Sequence, residues 1–187
     1  TPDYVYIKGK GELIFEDDPD SAINLSCLKQ GIGLSGEDVG KIRIRKNSGI
    51  KKILTIENLT TFFRWQEKDS LMIYLGGYHN SVRRKLLELL YQDFPKAEYL
   101  HFGDIDVGGF EIYRDLCRKT GIPFKTYHMG IEELEKYEAY TQELTGNDRK
   151  RLAALIQKAE SEGKDIRVLL YMKEKGRKLE QEGIRQI

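Results

Sequence analysis

The chain has 187 residues, room for one ordinary domain with an appendage, and its 31 basic and 30 acidic residues leave a formal charge of +1, so no global field marks a nucleic-acid binder and any such site has to be local. With 33% charged and 40% hydrophobic residues the composition is globular and not that of a disordered chain. Two cysteines without CxxC spacing argue against a disulfide framework or a zinc module, and the lack of a long apolar run or signal peptide argues against a membrane partner and for the cytoplasm.

The chain begins at Thr1, which reads as the start of a fragment of a longer protein. Two short apolar runs, Tyr4 to Ile7 and Leu13 to Phe15, flank Gly9 and Gly11 and read as a hairpin or two edge strands. The acidic, proline-bearing stretch Glu16 to Asp20 reads as a loop, and glycines at 31, 33, 36 and 40 keep the next stretch irregular, with one helical turn near Glu37 to Lys41. Residues 1–50 are therefore expected to form a β-rich N-terminal appendage. At its end Lys41, Arg43, Arg45 and Lys46, followed by Lys51 and Lys52, make a local basic strip of the kind that binds a phosphate backbone, although such strips are more commonly solvated hairpins.

From Lys51 the pattern becomes regular, and residues 51–187 are expected to form the main domain with a C-terminal helical extension. Ile53 to Ile56 reads as a buried strand ended by Glu57, and Leu71 to Leu75 as a second ended by Gly76-Gly77. Asn80 or Ser81 caps a helix with the apolar face Val82, Leu86, Leu89 and Leu90, stopped near Pro95. A third apolar run ends at Gly103-Asp104-Ile105-Asp106, and Gly108-Gly109 lead into a helix from Phe110 to Lys119. Phe124 to Met129 reads as a fourth strand. Helices follow over 131–144 and 148–162, the second capped by Asn147 and closed by Gly163, and Ile166 to Met172 reads as a last strand. Such alternation implies parallel βα units, an α/β fold with a mostly parallel sheet flanked by helices.

The distinctive polar points all fall just after strand carboxyl ends, where open α/β sheets bind ligands. Along a strand, Asp104 and Asp106 would stand on one side, about 7 Å apart at Cα, and a hard cation such as Mg²⁺ is often held by one or two carboxylates plus substrate phosphates. Glu57 ends a hydrophobic strand, where an unpaired carboxylate is costly and calls for a cation, a basic side chain or water. Three converging carboxylates form a hard-metal site suited to phosphoryl transfer. Lys173, after the expected last strand, would neutralise phosphate charge. His79, between Gly77 and a helix start, would sit where backbone N–H groups receive phosphate.

Glu57 in Thr55-Ile56-Glu57-Asn58, a glycine after the second strand, and Asp104-Ile105-Asp106 after the third resemble the Toprim pattern of topoisomerases, bacterial primases and related nucleases. More narrowly, Ile56-Glu57-Asn58-Leu59-Thr60-Thr61-Phe62, Phe102-Gly103-Asp104-Ile105-Asp106 with Gly109-Phe110, and Leu179-Glu180-Gln181-Glu182 resemble the C-terminal nuclease domains of the Wadjet plasmid-defence JetD family, distantly similar to topoisomerase VI A subunits. The resemblance implies a Toprim-type, Rossmann-like fold and a Mg²⁺- or Mn²⁺-dependent endonuclease that cuts double-stranded DNA beside an SMC-type motor complex. Carried over, Asp104 and Asp106 would bind metal, Glu57 would be a further ligand or general acid/base, and Glu180 and Glu182 would add to a second metal. A homodimer would bring two such sites to the two strands of a duplex, and the residues do not decide for or against it.

Three rival readings have their own signatures. A tyrosine-dependent, topoisomerase VI-like cleavage domain would place its nucleophile on an upstream helix-turn-helix, which is not visible in this chain. A haloacid-dehalogenase-type phosphatase would carry its DxD on the first strand and an acidic pair after a later one, whereas two strands precede Asp104 here. A non-catalytic DNA-binding or assembly module would not require all three carboxylates.

Overall fold

The structure, a computed structural model, describes residues 3–78 and 80–185. Alternation in Tyr4-Val5-Tyr6-Ile7 buries Val5 and Ile7 and exposes Tyr4 and Tyr6, giving β1 (Tyr4–Gly9). The next strand, β2 (Glu12–Phe15), does not fold back on β1 as the expected hairpin, because the two belong to different sheets. Gly9 and Gly11, at φ +104° and +137°, steer the chain from one sheet to the other, and a Cβ on Gly9 would lie 2.3 Å from the Ser70 carbonyl oxygen. Only Glu16-Asp17 turn; the rest of the expected acidic loop opens β3 (Asp18–Asn24). Then come β4 (Ile32–Ser35), the single turn α1 (Gly36–Val39) and β5 (Ile42–Ile44). The three-stranded sheet has the order β3-β2-β5, so Pro19 lies on an edge strand, where its missing N–H costs no ladder bond.

The regular part follows the expected order through β6 (Lys52–Ile56), β7 (Ser70–Tyr74), α3 (Ser81–Asp93) and β8 (Glu98–Phe102), with a short helix, α2 (Leu59–Arg64), capped by Asn58 between the first two strands where the sequence reading names none. Asn80 caps α3 through a bond from the Arg83 N–H. The central sheet has the order β4-β1-β7-β6-β8-β9, with β9 a short strand at Lys125–Thr126 instead of the expected run to Met129. Strands β7, β6, β8 and β9 run parallel, β1 pairs antiparallel with β7 and β4 antiparallel with β1, so the β-rich N-terminal region supplies two strands to the main sheet. Continuous apolar runs suit strands buried on both faces. Here Ile53, Leu71 and Ile73 face one core with Leu86, Leu87 and Leu90 of α3, while Leu54, Ile56, Met72 and Phe102 face a second with Phe62 of α2.

Between β8 and β9 lies α4 (Val107–Thr120), which starts three residues earlier than the sequence pattern suggests because Asp106 caps it. After β9 comes α5 (Ile131–Lys136), which stops well short of 144, and β10 (Gln142–Glu143) follows. Helix α6 (Gly146–Ser161) is capped by Thr145, not Asn147, in a capping box with Asp148. The expected last strand is α7 (Arg167–Lys175), whose buried Leu169 and Met172 stand one turn apart and close the second core. Gly176 at φ +65° ends it, and β11 (Arg177–Lys178) pairs with β10. Among the described residues no helix is long and apolar enough to cross a membrane.

Leu54 is fully buried in the central strand. Leu54→Ala should cost about 2–5 kcal/mol, read as a lower urea midpoint with an unchanged slope; an unchanged midpoint would show that the second core does not close on β6.

Candidate functional site

The site follows from register. Ile56 pairs with Tyr74 of β7 on one side and with Phe102 of β8 on the other, so the three strands end in one row. The next residue of β6 is Glu57, whose N–H donates to the Phe102 carbonyl at 3.0 Å. From there the chain leaves β6 toward β7, whereas the chain leaving β8 goes to β9 on the opposite side. Neighbouring strands whose exits diverge open a crevice at their carboxyl ends, and the point of divergence here lies between Glu57 and Asp104.

Glycines let the acidic turn pack into that crevice. A Cβ on Gly103 would meet Glu57 Oε2 at 2.6 Å, and one on Gly109 would meet the Asp104 carbonyl oxygen at 2.1 Å. Asp104 and Asp106 each spend one oxygen on a backbone donor: Asp104 Oδ1 accepts from the Gln181 N–H at 2.6 Å, and Asp106 Oδ1 from the Gly109 N–H at 2.7 Å. Glu57 Oε2 is buried with no hydrogen-bond partner. Burial, and then the charges of Asp104 and Asp106, push the Glu57 carboxyl up to about 7. Burial raises Asp104 to about 6, opposed by the Gln181 N–H and reinforced by Asp106, Glu180 and Glu182.

Glu180 and Glu182 come to this edge on the C-terminal segment, anchored by a bridge between Ile105 and Leu179. Both are exposed; Glu180 Oε1 accepts from Gln142 Nε2 at 3.2 Å and Glu182 Oε1 from Asn58 Nδ2 at 2.9 Å. Among the described residues no three acidic, histidine or cysteine side chains already stand as a ligand set. The donors nevertheless fit a hard divalent cation. They are oxygens, one is buried without a partner, and the mutual repulsion that raises Glu57 and Asp104 is what a cation would relieve.

The other expected residues lie elsewhere. Lys173 sits exposed in the last turn of α7 and makes no hydrogen bond or ion pair to the carboxylates among the described residues. Arg43 pairs with Glu16, Arg45 with Glu12 and Lys46 with Asp93, while Lys41 is exposed beside them. Asp93 ends α3 just before β8 begins, so Lys46 belongs to the edge of the sheet opposite Asp104. His79 lies outside the described residues. His101 is buried, with Nδ1 2.9 Å from Thr55 Oγ1.

Two residues at the site escape sequence reasoning. Arg151 on α6 is paired with Glu111 of α4, and its guanidinium is held above the ordinary range by Glu111 first and by the nearby charge of Asp106. Nothing in the sequence pairs α6 with α4, so no local signal marks it. Gln181 lies between two exposed glutamates, and the burial that it shares with Leu179 is seen only in the structure.

A mostly parallel α/β sheet with Glu57, Asp104 and Asp106 just beyond the strand ends where its exits diverge has the layout in which open α/β sheets bind ligands. The family model for the C-terminal part of Wadjet protein JetD matches residues 20–187, and the chain belongs to this family. The Wadjet protein JetD of Bacillus cereus (strain Q1) is 26% identical over 157 residues, a match covering 82% of this chain and 37% of that protein. The chain therefore spans little more than a third of the curated relative's length.

The raised carboxyls carry a sign for stability. Their folded values, about 7 and about 6, exceed the ordinary carboxylate values near 4, so the native state holds extra protons and loses that stabilisation as pH rises through this window. Chelator-treated protein should melt at a higher temperature at pH 6 than at pH 8, and Glu57→Gln should raise the pH 8 value and narrow the gap. An identical gap in wild type and Glu57→Gln would show that Glu57 is not strained by its neighbours.

Proposed function

We propose that this chain is the catalytic part of a Mg²⁺- or Mn²⁺-dependent DNA endonuclease that acts in plasmid defence with an SMC-type motor complex. The observation that carries the reading is the meeting of Glu57, Asp104 and Asp106 at one crevice, with Glu57 Oε2 buried and unpartnered. Family membership supports the defence role, and the donor chemistry supports the metal.

Asp104 and Asp106, each with a second oxygen left after its backbone bond, would hold the cation, and Glu57 would be either a further ligand or a general acid or base. When bound, such an ion polarises a phosphate oxygen and lowers the pKa of water. The chain's own residues do the remaining work. Where it is not a ligand, Glu57, pushed up to about 7 without a cation, would hold or release a proton near neutral pH, as a general acid or base requires. Asp106 and the first turn of α4 fix the acidic loop through the Gly109 N–H. Arg151, paired with Glu111 of α4, would bring a positive charge whose field reaches Asp106, a part that Lys173 does not take.

Tyr78 gives the tyrosine-dependent reading its one foothold, since it is 59% exposed in the loop after β7 and lies in the field of Arg151. Water remains the better nucleophile because Glu57 is poised to take its proton.

Purified protein should nick supercoiled plasmid with Mg²⁺ or Mn²⁺, and Asp104→Ala or Asp106→Ala should reduce nicking to background with the fold intact by circular dichroism. Glu57→Gln should lower the rate by about 10² to 10⁴-fold, and Tyr78→Phe should leave it unchanged. Mn²⁺ at 100 times its Kd should stabilise the chain by about 2.7 kcal/mol. Cleavage that survives both aspartate changes would remove the site from the chemistry, and loss in Tyr78→Phe with a covalent protein–DNA product would hand the reaction to the tyrosine.

A further inference from the structure

The C-terminal segment is tied into the sheet in a way that no part of the nuclease reading requires. Gln181 is fully buried, and its side-chain amide spans the ends of two strands: Nε2 donates to the Phe102 carbonyl at the end of β8 at 2.8 Å, and Oε1 accepts from the Asn58 N–H just beyond β6 at 2.8 Å. The carboxamide thus adds one more rung to the β6–β8 ladder after the backbone rung from the Glu57 N–H to Phe102. Glu57 stands on one side of this rung and Asp104 on the other. The Gln181 main-chain N–H in turn donates to Asp104 Oδ1, so one residue sets both the spacing of the two strand ends and the direction of one carboxylate.

What holds Gln181 is equally specific. Arg64, at the end of α2, donates through Nη2 to the carbonyls of Gln181, Glu182 and Ile184 at 3.4, 2.9 and 2.7 Å. A planar guanidinium on three carbonyls of one short segment is a clamp on its backbone. Leu179 on the other flank exchanges two backbone bonds with Ile105, inside the acidic turn itself.

We propose that Gln181 is a positioning residue for the carboxylate site, and that Arg64 acts through it by clamping the C-terminal segment. The proposal rests on the reading of Glu57, Asp104 and Asp106 as cation ligands. Buried amide hydrogen bonds of this kind orient ligands they do not themselves replace, and their loss in metal sites lowers affinity by about 10 to 100-fold. Gln181 contributes neither charge nor a ligand atom, so its effect is carried by geometry.

The test is Mn²⁺ affinity of the purified chain, measured by titration calorimetry beside the melting temperature without metal. Gln181→Met keeps the volume and removes both side-chain bonds, and it should weaken Mn²⁺ binding by about 10-fold or more. Leu87→Ala, a buried change on α3 in the first core, away from the core that holds Leu179 and Ile184, should lower the melting temperature without changing affinity, separating positioning from general destabilisation. Arg64→Met gives a second, sharper reading. Removing a positive charge near a cation site should tighten binding by electrostatics alone, whereas release of the clamp should weaken it. Weaker Mn²⁺ binding in both Gln181→Met and Arg64→Met, with Leu87→Ala unaffected, supports the proposal. Wild-type affinity in Gln181→Met, or tighter binding in Arg64→Met, overturns it while leaving the metal reading in place. A wild-type chain that takes up no Mn²⁺ overturns the metal reading, and the positioning role falls with it.

Discussion

Parallel pairing of β6 with β8, Ile56 opposite Phe102, is the constraint on which the site depends. A one-residue slip would carry Glu57 past the turn that holds Asp104 and would send every side chain of β6 to the wrong core. The register is fixed by burial. Ile53 and Leu54 are fully buried on opposite faces, so neither face can accept the other's side chains without opening a core. Precision at the carboxyl edge is thus inherited from packing several residues away, and the acids add only destabilisation of their own.

That destabilisation is legible in the bonds around the cluster. Glu57 and Asp104 are raised by burial and by neighbouring charge, and a chain selected for stability alone would place apolar or amide side chains there. The fold offsets the strain with backbone donors. The Gly109 N–H on Asp106 serves as a helix cap, worth about 1 kcal/mol in typical proteins, and the Gln181 N–H does the same kind of work on Asp104 from a distant part of the chain. The Asp104 backbone opposes the rise at Glu57 too, but Glu57 Oε2 stays buried without a hydrogen-bond partner. Under the nuclease reading, that oxygen is the one a cation or a proton would satisfy.

Much of this was readable from sequence where the signal was local. Runs such as Ile53 to Ile56 and Leu71 to Leu75, each followed by a carboxylate or glycines, identified parallel strands and their carboxyl ends, because a doubly buried strand needs a continuous apolar run and a turn needs glycine or acid. Failures came where partners are remote. The segment with Tyr4 and Ile7 looked like half a local hairpin, yet its partners are β4 and β7. Ile166 to Met172 is an apolar run too short for its period to separate strand from helix, and the open face of the second core made it α7. Asp106 was read as a ligand and also proved to be a cap, which moved the start of α4. Gln181 was passed over because glutamates on either side carried the recognisable chemistry, although burial, invisible in composition, falls on the glutamine.

Charge distribution adds a last constraint on how DNA could reach the site. The carboxyl edge carries Glu57, Asp104, Asp106, Glu180 and Glu182 against Arg151 and the clamped Arg64, whereas Arg43, Arg45 and Lys46 are paired with acids on or beside the N-terminal sheet. Screening over a Debye length of about 10 Å at 0.1 M salt keeps those distant cations from offsetting the local acids. A phosphate approaching bare carboxylates is repelled at contact range, and the repulsion is strongest where water is excluded. Under the nuclease reading, cation uptake therefore has to precede or accompany DNA approach, and most of the affinity for DNA has to come from surfaces other than this edge. Under that reading, a chain of net charge +1 with five of its 30 acids at this edge would process a strand presented to it and would capture one from solution poorly.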